Sequence, residues 1–263
     1  MKGFGFLQLG LVLALSGVTA LPAFAQTAVA IPASIGRHSH NDYLQPHPLT
    51  TALGLHFESV EADLWLTRHG LIKVSHMPWK PTGHLKELYL DPLQKLVDAK
   101  GSVYGTEETL FLWLDIKDFR RSIIDELTGL LKSYSMIGGP VKIVITGQWE
   151  KEKRRLLKEH PELKITRDSN RFSENDPQSD GAWTWYSLKW KSFFRWDGRG
   201  QMPPEELSRL NQLVSQIHAK GRKVRFFANP ETDAVWSALV QAGADLVGTD
   251  DLPKLSQFFG REK

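Results

Sequence analysis

Ser59-Val60-Glu61-Ala62-Asp63-Leu64-Trp65-Leu66 sets two carboxylates inside an otherwise apolar run. At a side-chain period of two, Glu61, Asp63 and Trp65 share one face and Val60, Ala62 and Leu64 the other. The pattern predicts a strand over 59–66. Two acids on the inner face of a buried strand are costly unless something cationic sits between them. A divalent ion meets that need; the plainer alternative is a polar layer of a barrel, ion-paired to a lysine or arginine.

Working outward, apolar runs alternate with amphipathic stretches, as expected of parallel strands joined by crossover helices. Strands are predicted over 110–116, 141–146, 183–188, 224–228 and 244–248, and helices over 119–132, 150–160, 204–220 and 231–242. Pro203-Pro204 followed by Glu205-Glu206 is a helix start, and Gly221 and Gly243 stand at helix ends. Two further strands, one just before His38 and one over 163–166, bring the count to eight. Residues 168–181, rich in Asp, Ser, Asn and Gln, read as one long loop. The fold class is α/β, a TIM-type (β/α)8 barrel in one domain spanning 26–263.

Residues 1–25 are set apart as a secretory signal peptide: Lys2 precedes the apolar stretch 9–15, Pro22 breaks it, and Ala23-Phe24-Ala25 suits cleavage before Gln26. The expected location is therefore outside the cytoplasm, in the periplasm or secreted. No cysteine is present, so neither a disulfide nor a lipid-attached cysteine is available. A formal charge of +3 spread over 263 residues is too weak and dispersed to argue for nucleic acid.

In a barrel of this kind, site residues lie at the C-terminal ends of strands. The run Leu110-Phe111-Leu112-Trp113-Leu114-Asp115-Ile116-Lys117 ends there, with Asp115 and Lys117 on one face. Hard cations prefer oxygen ligands, so Glu61, Asp63 and Asp115 are candidate ligands of one divalent cation, Mg2+ or Ca2+. Lys117 is placed either to hold a phosphate oxygen or to pair with Asp115. Of the nine histidines, His38, His40 and His76 fall at the expected barrel mouth, whereas His160 and His218 lie in helical stretches and His47, His56, His69 and His84 read as surface residues.

Taken together, these residues resemble the phosphatidylinositol-phospholipase-C-like phosphodiesterases, which include glycerophosphodiester phosphodiesterases and sphingomyelinase D. Ser39-His40-Asn41-Asp42-Tyr43-Leu44 is similar to the Ser-His-Asn-x-Tyr-Leu segment of phosphoinositide phospholipases C. Glu61-x-Asp63 matches the family's metal-binding pair, His76 follows at the family's spacing, and Asp115-x-Lys117 resembles its acid-x-lysine strand end. Gly248-Thr249-Asp250-Asp251-Leu252 looks like its last strand and turn. The resemblance implies a metal-dependent phosphoric diester hydrolase acting on a glycerophosphodiester or phospholipid-type substrate, in which His40 and His76 are catalytic, Asn41 joins the metal ligands and Lys117 and His38 contact the substrate. Relatives often form a cyclic phosphate intermediate. The His-Arg-Gly and Glu-Asn-Thr of glycerophosphodiester phosphodiesterases are absent, which leaves the glycerol head group open.

Arg225, alternating with Val224 and Phe226, is a candidate phosphate contact pointing into the mouth. Trp183, Trp185, Trp190 and Trp196 concentrate four of the nine tryptophans in one segment. They form either a lipid-facing rim or choline-type cage, with Trp185 in substrate contact, or simply a packed core strand and loop. A lipid substrate carries the expectation of peripheral membrane contact. Two other readings stay open: an amidohydrolase-type metal hydrolase, because His38-Ser39-His40 also fits that strand-one motif, and a non-catalytic binding protein on the same barrel.

Overall fold

The computed structural model describes Met1 and residues 31–261, with residues 33, 81 and 148 excepted. The proposed signal peptide, apart from Met1, lies outside the described residues. In chain order the strands are β1 (Gly36–Ser39), β2 (Ser59–Leu66), β3 (Ile72–Val74), β4 (Gly83–His84), β5 (Leu110–Ile116), β6 (Val141–Gly147), β7 (Thr166–Ser169), β8 (Trp183–Lys189), β9 (Lys223–Phe227) and β10 (Leu246–Thr249). The helices are α1 (Thr50–Gly54), α2 (Asp91–Lys100), α3 (Ser122–Lys132), α4 (Glu150–Glu159), α5 (Pro204–Ala219), α6 (Asp233–Ala242) and α7 (Leu252–Arg261).

Eight strands pair in parallel in the order β1-β2-β5-β6-β7-β8-β9-β10, and β10 closes onto β1 through Gly36–Leu246 to Ser39–Thr249. This is the TIM-type barrel expected from the alternation of elements. The end of β2 runs on into an antiparallel ribbon with β3 and β4, outside the closed ring.

Alternation along the strands divides the interior in two. Val60, Ala62 and Leu64 of β2 and Leu112 and Leu114 of β5 face outward into the large apolar layer beneath the helices. Inward-facing Trp113, Val144, Trp185 and Leu246 plug the lower part of the barrel. Trp113 and Trp185 meet edge to face at 5.2 Å, and Phe111 packs against Trp185 from below.

Several boundaries differ from the sequence expectations. The helix expected from 119 begins at Ser122, because the Asp118 carboxylate accepts from the backbone N–H groups of Leu66 and Arg120 and holds 117–121 as a loop. The strand expected over 163–166 is displaced to Thr166–Ser169, since Pro161–Leu163 winds into a 3-10 turn. Asp168 and Ser169 are therefore strand residues rather than the start of the long loop.

The β7–β8 connection carries no helix, and its place is taken by an arginine stack. The Trp183 ring lies between the guanidinium groups of Arg167, at 4.5 Å, and Arg222, at 3.8 Å. Arg222 also donates from Nε to the Trp183 carbonyl and pins the loop through the carbonyls of Pro177 and Gln178. All three side chains are buried.

At the end of β6, Gly147 adopts φ 109°, and a Cβ there would lie 2.7 Å from the Ile116 carbonyl oxygen and 2.9 Å from Asp115 Oδ1. Only glycine lets β6 pass this close to the acid of β5. Gly147→Ala is expected to lower stability by roughly 1–3 kcal/mol. Chemical denaturation checks this, and a variant as stable as its parent would contradict the close approach.

Candidate active site

Register brings the acids together. Asp63 of β2 is the cross-strand neighbour of Asp115 of β5, and Glu61 is the neighbour of Trp113 one layer below. One oxygen from each of Glu61, Asp63 and Asp115 lies within 4.8 Å of the others. Like charges side by side on adjacent strands repel, so the arrangement stands only if cations offset it.

Two protein cations do part of this. Arg225, from β9, donates from Nη1 to Glu61 Oε2 at 2.7 Å and from Nε to Ser187 Oγ at 2.7 Å, while its guanidinium lies 4.1 Å above the Trp113 ring. Burial alone would push Glu61 upward, but the Arg225 charge and the His38 hydrogen bond hold it well below the usual carboxylate range. Lys117 donates to Asp115 Oδ2 and sits 3.6 Å from Asp63 Oδ2. Burial dominates at Asp115, and with the neighbouring Glu61 and Asp63 charges it outweighs Lys117, leaving this carboxyl raised to about 6. Asp63 is likewise raised, chiefly by burial.

The residues fit a cation. Three carboxylates face two cations, so one negative charge is left over, and Asp115 Oδ1 is a buried oxygen with no hydrogen-bond partner. A hard divalent ion offers what that oxygen lacks. Glu61, Asp63 and Asp115 are thus a triad able to hold one. Among the described residues this cluster contains no histidine, which speaks against the amidohydrolase alternative.

The two histidines flank the triad. His40, just past β1, bonds through Nδ1 to Asp250 Oδ1 at 2.8 Å. Burial lowers its basicity, but the Asp250 hydrogen bond and the Glu61 and Asp250 charges outweigh that, so it is raised on balance. His76, which follows β3, places Nδ1 3.4 Å from Asp63 Oδ2. In both rings a carboxylate lies against Nδ1, and the Asn41 amide nitrogen lies 3.4 Å from His40 Nε2. Asn41, in the left-handed region at φ 47°, accepts through Oδ1 from the Tyr43 hydroxyl at 2.9 Å, and that same hydroxyl lies 2.9 Å from Asp63 Oδ2.

Two expected substrate contacts are corrected. His38 is fully buried, with Nδ1 2.7 Å from Ser59 Oγ and Nε2 2.8 Å from Glu61 Oε2. Burial and Arg225 lower its pKa to about 4, so it is a neutral prop for Glu61 rather than a group facing substrate. Trp185 is enclosed in the lower plug, and Trp183, Trp190 and Trp196 are buried too, so the tryptophan-rich segment is core and not rim. Arg225 does reach the cavity, although its guanidinium is committed to Glu61.

The remaining candidates, His40, Asn41, Glu61, Asp63, His76, Asp115, Lys117 and Arg225, all line one cavity of about 350 Å³ at the C-terminal end of the barrel. Sequence reading did not single out Phe119, Trp149, Asp168, Asn170 and Phe227, which complete its wall. Asp168 is held by Thr146 Oγ1 at 2.7 Å and Lys153 Nζ at 3.1 Å. Asp250 was seen only as part of the last turn, and nothing local marks it as the partner of His40.

Residues 27–150 match the family model described as an AIM6-like phosphodiesterase domain, a segment that contains every candidate lining the cavity except Arg225. Altered inheritance of mitochondria protein 6 of Eremothecium gossypii is 25% identical over 89% of this chain and 73% of its own length, and that of Saccharomyces cerevisiae 26% over 82% and 68%. Among solved structures, a glycerophosphodiester phosphodiesterase from Parabacteroides distasonis superposes with a TM-score of 0.58 at 13% identity, covering 88% of this chain and 99% of that one. An Oleispira antarctica phosphodiesterase, solved with the product sn-glycerol-3-phosphate, gives 0.55 at 18% identity over 88% and 97%. The structural likenesses show the fold, and the domain match is to a phosphodiesterase domain, in line with the resemblance read from the sequence.

Asp115 also makes the cation testable without turnover. In cation-free protein the native state keeps this proton to about 6, whereas the unfolded chain releases it near 3.8. The native state then binds more protons across that window, so stability falls as pH rises through it. Added Mg2+ or Ca2+ is expected to reverse the fall, and Asp115→Asn to flatten it. Urea denaturation across the window, with chelator or cation, checks both; the same slope in Asp115→Asn would contradict the assignment.

Proposed function

We propose that this chain, a (β/α)8 barrel matched over residues 27–150 by an AIM6-like phosphodiesterase domain, is a metal-dependent phosphoric diester hydrolase acting on a glycerophosphodiester or phospholipid-type substrate. The observation that carries the reading is the convergence of Glu61, Asp63 and Asp115 between two imidazoles in one cavity.

A single divalent cation, Mg2+ or Ca2+, held by the triad with Asn41 beside it, would supply Lewis-acid charge to the phosphoryl oxygens and orient the attacking group. The chain's own groups do the rest. Lys117, kept cationic by Asp115 and Asp63 despite burial, is placed to meet a phosphoryl oxygen. Arg225 fixes Glu61 and adds positive potential at the cavity floor. In an in-line displacement at phosphorus, one of His40 and His76 takes the proton of the attacking hydroxyl and the other gives one to the departing oxygen. Either a water or a hydroxyl of the substrate itself serves as nucleophile, the latter giving a cyclic phosphate.

Asp250 and Asp63 are the positioning groups for these transfers, since each holds an imidazole Nδ1. Tyr43 links Asn41 to Asp63 through one hydroxyl, tying the loop after β1 to β2.

With the proposed signal peptide, this activity would lie outside the cytoplasm, with phosphodiesters of lipid origin as its substrates.

His40→Ala and His76→Ala are each expected to lower turnover of bis(p-nitrophenyl) phosphate by at least about 10²-fold while the circular dichroism spectrum is unchanged. Full activity in either variant overturns the assignment of that histidine. Asp250→Asn should lower kcat less than His40→Ala does and leave KM close to the parent value; an unaltered kcat would remove Asp250 from the proton-transfer unit.

A further inference from the structure

Six large hydrophobic side chains are exposed among the described residues; besides Met1 they are Leu44, Leu71, Met77, Trp79 and Phe119. Phe119 lines the catalytic cavity, and Leu44, Met77 and Trp79 stand within three residues of cavity-lining Asn41 or His76. Trp79 is 74% exposed and Phe119 70%. Scattered singly, such residues are ordinary, but carried on the segments that border one opening they mark an interaction surface.

Beside the cavity lies a second hollow of about 410 Å³, whose lining includes Arg68, His69, Lys73, Pro78 and Arg120. Its one carboxylate, Asp118, is buried and taken up by Arg120 and the Leu66 N–H. From Thr67 to Lys80 the chain contains no acidic residue. The same two segments border both spaces: Lys117, Phe119 and His76 line the cavity, while Asp118, Arg120 and Pro78 line the hollow. Residues 76–79 and 117–120 are therefore a wall between them, with Met77, Trp79 and Phe119 exposed along it.

We propose that this wall docks on an anionic lipid surface. Met77, Trp79 and Phe119 enter the boundary between head groups and acyl chains, where an indole ring is favoured. Arg68, Lys73 and Arg120 meet the lipid phosphates. An acidic protein partner would satisfy the cations but leaves the exposed apolar ridge without a reason, whereas a bilayer accounts for both. Among the described residues no helix is long and apolar enough to cross a membrane, so contact made by these residues is peripheral. The proposal rests on the phosphodiesterase reading and narrows it: the cavity opens toward a diester still seated in its bilayer.

The test is co-sedimentation of the full chain with vesicles of phosphatidylcholine alone or of equal parts phosphatidylcholine and phosphatidylglycerol, alongside turnover of soluble bis(p-nitrophenyl) phosphate. Expected is retention on the anionic vesicles, weakened by salt. Trp79→Ala is expected to weaken it by about tenfold or more, the factor set by one large apolar side chain, with soluble turnover unchanged. No retention on anionic vesicles, or equal retention of Trp79→Ala, overturns the docking surface, and equal binding to both vesicle types removes the cationic hollow from it. Turnover without vesicle binding leaves the catalytic reading standing and refutes this one; vesicle binding without turnover does the reverse.

Discussion

The constraint on which the rest depends is electrostatic. Asp63 and Asp115 are register partners on neighbouring parallel strands, with Glu61 directly below them. Nothing in barrel packing requires acids there; apolar or β-branched side chains would fill the same layer with less strain. Much of the surrounding polar structure answers that concentration of charge. Arg225 reaches across from β9 to Glu61, Lys117 folds back onto its own strand, and the Tyr43 hydroxyl leans on Asp63. One oxygen of Asp115 is still left without a partner.

The floor beneath this group is what gives those interactions force. Arg225 sits 4.1 Å over the Trp113 ring, which in turn abuts Trp185, and donates to the Glu61 carboxylate. Water is excluded from below, and in such surroundings a charge–charge contact is worth more than at the surface. The same dryness keeps His38 neutral, which lets it prop Glu61 as a hydrogen-bond partner without adding a further charge.

Much of this was legible in the sequence because strands carry a strict period of two. The limits of β2 and β5 coincide with the expected runs, and the faces assigned to Glu61, Asp63 and Asp115 are the observed ones. Boundaries drifted where a single side chain overrode local propensity, as Asp118 does before α3. Trp185 was offered both as a substrate contact and as core because an aromatic strand has the same pattern in either setting; only closure of the barrel shows which way it faces. His38 was misjudged for a related reason. Two residues from His40 it shares that residue's face but lies in the layer below, where closure of the ring buries it. Asp250 lies 210 residues from His40, a separation no local pattern bridges.

The Arg167–Trp183–Arg222 stack stands where a crossover helix would otherwise cover the wall between β7 and β8. A helix seals a barrel by offering a stripe of aliphatic side chains, and its loss would leave that stripe's partners wet. Here two buried guanidinium groups against an indole, one of them also tied to backbone carbonyls, take the place of that stripe. The connecting segment keeps a share of the core through Phe172 and Ala182, while Arg222 holds its backbone at Pro177 and Gln178. Its composition can drift only where Asn170, which lines the cavity, and Phe172 and Asp176, which meet Tyr186, are kept.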